Sequence, residues 1–203
     1  MVTTKSQNLT SSTKDFLKVI ISNAPAAPKN GKTETVTPEN IAKFIRGEMT
    51  WAQVQGLSME QTYGIAEIGY QLFSQGKYSE AKKIFEGLIV LNPYDGYFHS
   101  VLGSILARTG ESDKAIQEYS IAINLEPKDL QILVNRAELI LKKGQFEEAL
   151  SDLKKAIAMD PEGLNPAVIR AKALGAATVS LIEEMLKSKQ STNTPAEKIQ
   201  PKK

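Results

Sequence analysis

The sequence predicts an all-α fold made of three helical hairpins in tandem, on three observations. Gly76, Gly110 and Gly144 stand 34 residues apart, as do Ala81, Ala115 and Ala149, and Pro93, Pro127 and Pro161. Within each unit, apolar or small residues recur at i, i+3, i+4 and i+7, the spacing of one helix face. A glycine closes each first helix, and an Asn-Pro, Glu-Pro or Asp-Pro pair closes each second one.

The units run 62–95, 96–129 and 130–163. Their first helices carry the packing positions Ile65, Ile68, Gly69 and Leu72, then His99, Leu102, Gly103 and Leu106, then Leu133, Arg136, Ala137 and Ile140. The second helices answer with Ala81, Phe85 and Leu88, Ala115, Tyr119 and Ala122, and Ala149, Leu153 and Ala156. The small residue at the eighth position lets the paired helix come close. Thirty-four residues is the period of the tetratricopeptide repeat, whose copies stack into a cupped array with an extended concave surface. The expectation is therefore a binding protein and not an enzyme.

The flanks divide the rest of the chain. Residues 1–37 are rich in Ser, Thr, Asn and Lys and broken by Pro25, Pro28 and Gly31, the composition of a disordered lead. The apolar patch Phe16 to Ile21 interrupts it, either as an accident of composition or as a short element that docks on a partner or a second copy. An N-terminal helical segment covers 38–60: Thr37 can cap, Pro38 suits the first turn, and Ile41, Phe44 and Ile45 follow at helical spacing. A short piece from Trp51 to Gln55 closes at Gly56, with Trp51 placed to pack these helices on the first repeat. Ser58 and Gln61 form a capping-box pattern for the next helix. After the repeats, Asn165-Pro166 opens a C-terminal capping helix, 165–187, that closes the exposed apolar end of the stack. Residues 188–203, Lys-rich at the end, read as a disordered tail.

Composition excludes several classes. Residues 62–161 hold 11 Lys and Arg against 14 Asp and Glu, which leaves no basic footprint for nucleic acid. No apolar run approaches ~20 residues, so no stable membrane insertion is expected, and Phe16–Ile21 is shorter than a signal-peptide core of about 7–15 residues. The expected location is the cytoplasm. With one histidine and no cysteine, an ordinary zinc site cannot be built, and no metal or cofactor is expected. His99 reads as a core histidine with satisfied hydrogen bonds. Arg136, where Leu is usual, reads as structural, its stem buried and its charge paired or reaching solvent. The pairs Glu147-Glu148 and Glu183-Glu184 fall on solvent faces with nothing beside them to perturb a pKa, so acid–base catalysis is not expected.

A second stripe on the first helix of the first repeat, Tyr63, Ala66, Tyr70 and Phe73, lies roughly 130° from the packing face. Packing within the repeat does not require it. The matching positions are Tyr97, Ser100, Ser104 and Ala107 in the second repeat, and Gln131, Val134, Glu138 and Leu141 in the third. The candidate peptide-binding groove is thus aromatic at one end, small in the middle and mixed at the other. Its members are Tyr63, Ala66, Tyr70, Phe73, Tyr97, Ser100, Ser104, Ala107, Val134, Glu138 and Leu141. Such a profile suits an extended segment with spaced apolar side chains; the alternative is that Tyr70 and Phe73 pack against the chain's own helices. Repeats that clamp the C-terminal carboxylate of Hsp70 or Hsp90 resemble this fold but use Lys, Asn and Arg where this chain has Ala66, Tyr70, Val101, Gln131 and Asn135. Without those paired donors a carboxylate has no site here.

The stretch from Phe44 to Gly110 goes further. It holds a Phe-containing helix ending at Gly, then Gly56-Leu57-Ser58, then GYQLFSQGKY from Gly69 to Tyr78, then LNPYD from Leu91 to Asp95. In these features residues 38–175 resemble the class II chaperones of bacterial type III secretion, which serve translocator proteins. The resemblance implies a cytoplasmic chaperone that holds a short extended segment of a hydrophobic translocator on its concave side and keeps it soluble for export. It places the family's aromatic groove positions on Tyr70 and Phe73, with Ala66 where a ring is common, and the small ones on Ser100, Ser104 and Ala107. It also implies a possible homodimer through the N-terminal region. A general adaptor of the same repeat type is the alternative.

Overall fold

The computed structural model describes residues 36–192, with side chains to Ser188. The readings of residues 1–35, including the Phe16–Ile21 patch, and of the tail from residue 193 lie outside the described residues. Within them the chain forms nine helices and no strand: α1 Pro38–Ile45, α2 Trp51–Val54, α3 Met59–Ser74, α4 Tyr78–Leu91, α5 Gly96–Arg108, α6 Ser112–Leu125, α7 Leu130–Lys142, α8 Phe146–Met159 and α9 Pro166–Thr192. They fall into two compact units that divide between Pro127 and Lys128.

Local chemistry accounts for the helix limits. Thr37 accepts a hydrogen bond from the Asn40 amide, and complete capping boxes join Ser58 to Gln61 and Thr50 to Gln53. Asp95 and Asp129 cap α5 and α7. Gly76, Gly110 and Gly144 take φ of 77°, 84° and 75°, a left-handed turn that side chains resist, so each first helix stops at the same place in its repeat.

In the first unit α3 pairs with α4 and α5 with α6, while α4 also packs on α5. The core is Phe85, Leu88, Phe98, Ile105, Tyr119 and their neighbours, all buried. Gly103 shows why the eighth position stays small: a Cβ there would stand 2.8 Å from the ring of Tyr119. Ile68 departs from the packing expected of it and is 56% exposed. Among the described residues α5 is packed by α4 and α6, whereas no repeat hairpin precedes α3; α1 and α2 pack on each other, and α2 packs on α4. Trp51 lies 5.3 Å from the ring of Phe44, within the N-terminal segment, and Val54 is buried.

In the second unit α7 pairs with α8, and α9 packs on both. Asn165 caps α9 by accepting from the Ala167 amide. Helix α9 continues to Thr192, past the limit at Lys187 expected from sequence; no proline or glycine stands between Lys187 and Thr192, and the first breaker is Pro195. Arg136 is paired: its guanidinium donates at 2.7 Å to each oxygen of Asp152, which is 1% exposed.

His99, 5% exposed, meets acceptors at both ring nitrogens, Glu118 Oε2 at 2.7 Å from Nδ1 and the Pro93 carbonyl at 3.0 Å from Nε2. Burial opposes charge on the ring, but the Glu118 carboxylate, the Pro93 carbonyl and the nearby Asp95 outweigh it and raise the pKa above the ordinary histidine value. A raised folded-state pKa gives stability that is complete below about pH 6.5 and fades as pH rises through the folded value. The destabilisation caused by His99→Gln is therefore expected to be larger in mildly acid than in alkaline urea unfolding. A pH-independent difference would mean that the ring is neutral in the fold.

Candidate functional site

The site grows from the two faces of α3. One face is spent on α4, where Gly69 lies against Ile84 and Phe85. Another side carries Tyr63, Tyr70 and Phe73, which packing on α4 leaves partly open: Tyr63 is 41% and Tyr70 44% exposed, with Phe73 half-buried. Intervals of seven and three residues keep these rings in a row along the helix.

Helix α5 continues that row. The Tyr97 ring stacks near Tyr63, with centroids 6.1 Å apart and planes 24° from parallel. Tyr70 and Phe73 are 6.0 Å apart, and Tyr78 at the start of α4 stands 5.8 Å beyond Phe73. Phe98 lies 5.6 Å from Tyr63, and Phe85 lies 6.3 Å from Tyr97, forming a buried backing. Burial, followed by the proximity of Tyr70 and Glu67, raises the pKa of the Tyr97 hydroxyl.

One hydrogen bond ties the two helices together. Tyr63 Oη donates to Asp95 Oδ2 at 2.7 Å, while Oδ1 of the same carboxylate accepts from the Tyr97 amide. The bond to Asp95, reinforced by burial, pushes the Tyr63 pKa up to about 12, so this phenol keeps its proton at physiological pH. Asp95 thus holds the Tyr63 ring against the start of α5, which it also caps. Sequence reading took no account of it as a site residue, although an Asp at the start of a helix is a capping signal; a contact across 32 residues left no local trace.

The small stretch follows on α5. Ser100 Oγ donates to the Tyr97 carbonyl and Ser104 Oγ to the Ser100 carbonyl, and Ser104 also meets Tyr119 Oη at 3.1 Å. These hydroxyls are satisfied within the helix hairpin, which leaves a low, half-buried surface through Ser100, Ser104 and Ala107. Ala66 is buried and offers no side chain to a ligand.

The third-repeat positions lie in the second unit and are engaged internally. Val134 is buried, and Glu138 pairs with Arg170 of α9 at 3.1 Å. Arg170 also donates to Asn135, which accepts from Gln131 as well. Leu141 is half-buried. The capping helix therefore takes up polar groups of α7 that a peptide would otherwise meet. Within the first unit Tyr63, Tyr70, Phe73, Tyr97, Ser100, Ser104 and Ala107 remain exposed or half-buried.

Among the described residues no helix is long and apolar enough to cross a membrane. A tetratricopeptide-repeat family model matches residues 67–129 and 102–163. The low calcium response locus protein H of Yersinia pestis is 32% identical over 98 residues, covering 48% of this chain and 58% of that protein. The chain thus matches less than two thirds of the length of these curated relatives. The type III secretion translocator chaperone SycD of Yersinia enterocolitica is 30% identical, with a TM-score of 0.59, over 63% of this chain and 89% of that one. SycD in complex with a peptide of the translocator YopD aligns over 65% of this chain and 97% of that one, at 29% identity and a TM-score of 0.52. With its repeats, its ring-bearing first helix and these similarities, the chain belongs to the tetratricopeptide-containing class II chaperones of type III secretion translocators.

Proposed function

We propose that this protein is a cytoplasmic chaperone of a bacterial type III secretion system. It holds an extended, apolar segment of a hydrophobic translocator against the face made by α3 and α5, and so keeps that client soluble and competent for export. The observation that carries this reading is the row Tyr63, Tyr97, Tyr70 and Phe73, backed by the scaffold's own rings and left partly open on its outer side. Partly exposed rings cost little ordering entropy when they grip a ligand, and aromatic anchors dominate interface energetics. The relative SycD supports the reading, because it has been seen with a translocator peptide.

The chemistry is recognition only. A client's apolar side chains would seat between the rings, while the low Ser100–Ser104–Ala107 surface lets its backbone come close. One short segment gives useful affinity without making release impossible. A homodimer through the N-terminal helices is supported by the exposed apolar side chains Ile45, Met59 and Ile68, and sedimentation velocity decides it.

Co-expression with a translocator that carries two hydrophobic helical segments is the test. The client is expected to move from the insoluble to the soluble fraction and to co-purify with this chain. A client that stays insoluble, while this chain captures other soluble partners, would instead favour a general adaptor.

A further inference from the structure

The apolar patch near the N-terminus is a feature that this function has not absorbed. Residues 14–21 read Lys-Asp-Phe-Leu-Lys-Val-Ile-Ile, five apolar side chains of six from Phe16 onward. That is the chemistry proposed for a client segment. We infer that Phe16–Ile21 of this same chain is the resting occupant of the aromatic face of α3 and α5, displaced when a client arrives; the inference rests on the chaperone reading of that face.

Reach permits it. Fourteen residues, fifteen steps of the chain, separate Ile21 from Val36, where the described chain begins. At about 3.3 Å per residue they can span roughly 50 Å. Helix α3, with its 16 residues, is about 24 Å long. A tether of this length places the segment at an effective concentration up to the millimolar range, so weak intrinsic affinity is enough to fill the site.

Charge agrees. Helix α3 carries Glu60 and Glu67 and no Lys or Arg, Asp95 opens α5, and α5 has Arg108 at its far end as its one Lys or Arg, with His99 buried and paired to Glu118. Residues 1–35 carry five lysines against one Asp and one Glu; Lys14 precedes the patch and Lys18 lies within it. A basic, apolar segment facing an acidic, aromatic wall has complementary potentials. The consequence is functional. A tethered occupant shields the rings from unwanted apolar surfaces, and only a client that outcompetes it is held.

The test uses the full chain and, as probe, a fluorescein-labelled synthetic peptide of residues 14–23. A triple variant, Phe16→Asp, Leu17→Asp and Ile20→Asp, removes the internal competitor. The probe is expected to bind this variant at least about tenfold more tightly than the unsubstituted chain, and adding Tyr70→Glu is expected to abolish the gain. A nitroxide on Ser22→Cys, the only thiol in a chain without cysteine, is expected to broaden amide resonances of α3 and α5 independently of dilution. Equal probe affinity for both chains, no binding to either, or binding that survives Tyr70→Glu overturns the inference. Broadening that vanishes on dilution also overturns it, in favour of a second copy. A translocator solubilised through Tyr70 while the probe fails leaves the chaperone reading intact; a probe that binds while no translocator is solubilised removes that reading alone.

Discussion

Asp152→Ala is expected to destabilise the third repeat by about 3–5 kcal/mol, the usual consequence of stranding one partner of a buried ion pair. Both carboxylate oxygens accept from Arg136 at 2.7 Å, and neither side chain has much access to water. Removing the carboxylate breaks both of these charge-assisted bonds at the α7–α8 interface. Stabilities of whole domains run to about 5–15 kcal/mol, so the loss is a large share of what a unit of three helices can hold. Urea unfolding followed by far-UV circular dichroism reads it as a lower midpoint. The double variant Arg136→Leu with Asp152→Leu removes both charges and is expected to return most of the stability, because apolar replacement of a whole buried pair is often neutral or better. If the single variant unfolds at the same urea concentration as the parent chain, the pair is not a structural tie.

Tyr70→Glu is expected to weaken client binding by at least about thirtyfold, the effect of losing a hot-spot ring worth about 2 kcal/mol or more, while helicity stays unchanged. Tyr70 is the ring that combines a central place in the row with high exposure, so its loss removes an anchor without opening the core. The new carboxylate also joins Glu67 in an already acidic surface and meets any apolar client side chain with an uncompensated charge. Phe73→Glu is expected to act in the same direction but with some loss of stability, since that ring is held between Tyr70 and Tyr78. Binding is measured by fluorescence anisotropy of a labelled translocator segment, with circular dichroism alongside. Should Tyr70→Glu bind the client undiminished, the α3 rings are not the grip.

Much of this architecture was legible before any coordinates. The Ser58–Gln61 box, the Thr37 cap and the Asn-Pro, Glu-Pro and Asp-Pro ends are interactions between residues a few positions apart, and each stands where the sequence placed it. The helix-to-helix face was legible for the same reason: Ala81, Phe85, Ala115, Tyr119, Ala149 and Leu153 repeat with the period of the hairpin, and all are buried. Three features were not legible. Ile68 sits at a packing position yet is exposed, because α3 begins the repeats and no hairpin among the described residues covers it. Val134 and Glu138 share the helical phase of Tyr97 and Ser104, yet Val134 is buried and α9 takes Glu138. Arg136 was readable as an anomaly, but its partner, 16 residues away on another helix, was not.

The residues by themselves determined the repeat, the helices, their caps and the faces that pack within each hairpin, because those depend on backbone propensity and on contacts of fixed short spacing. Only the tertiary structure decided which members of the outward stripe remain open, since exposure depends on the neighbouring element that arrives or fails to arrive. Tyr63 and Tyr70 stay accessible because α4 occupies the other face of their helix, whereas Glu138 is taken by Arg170 of a helix that begins some thirty residues later in the chain.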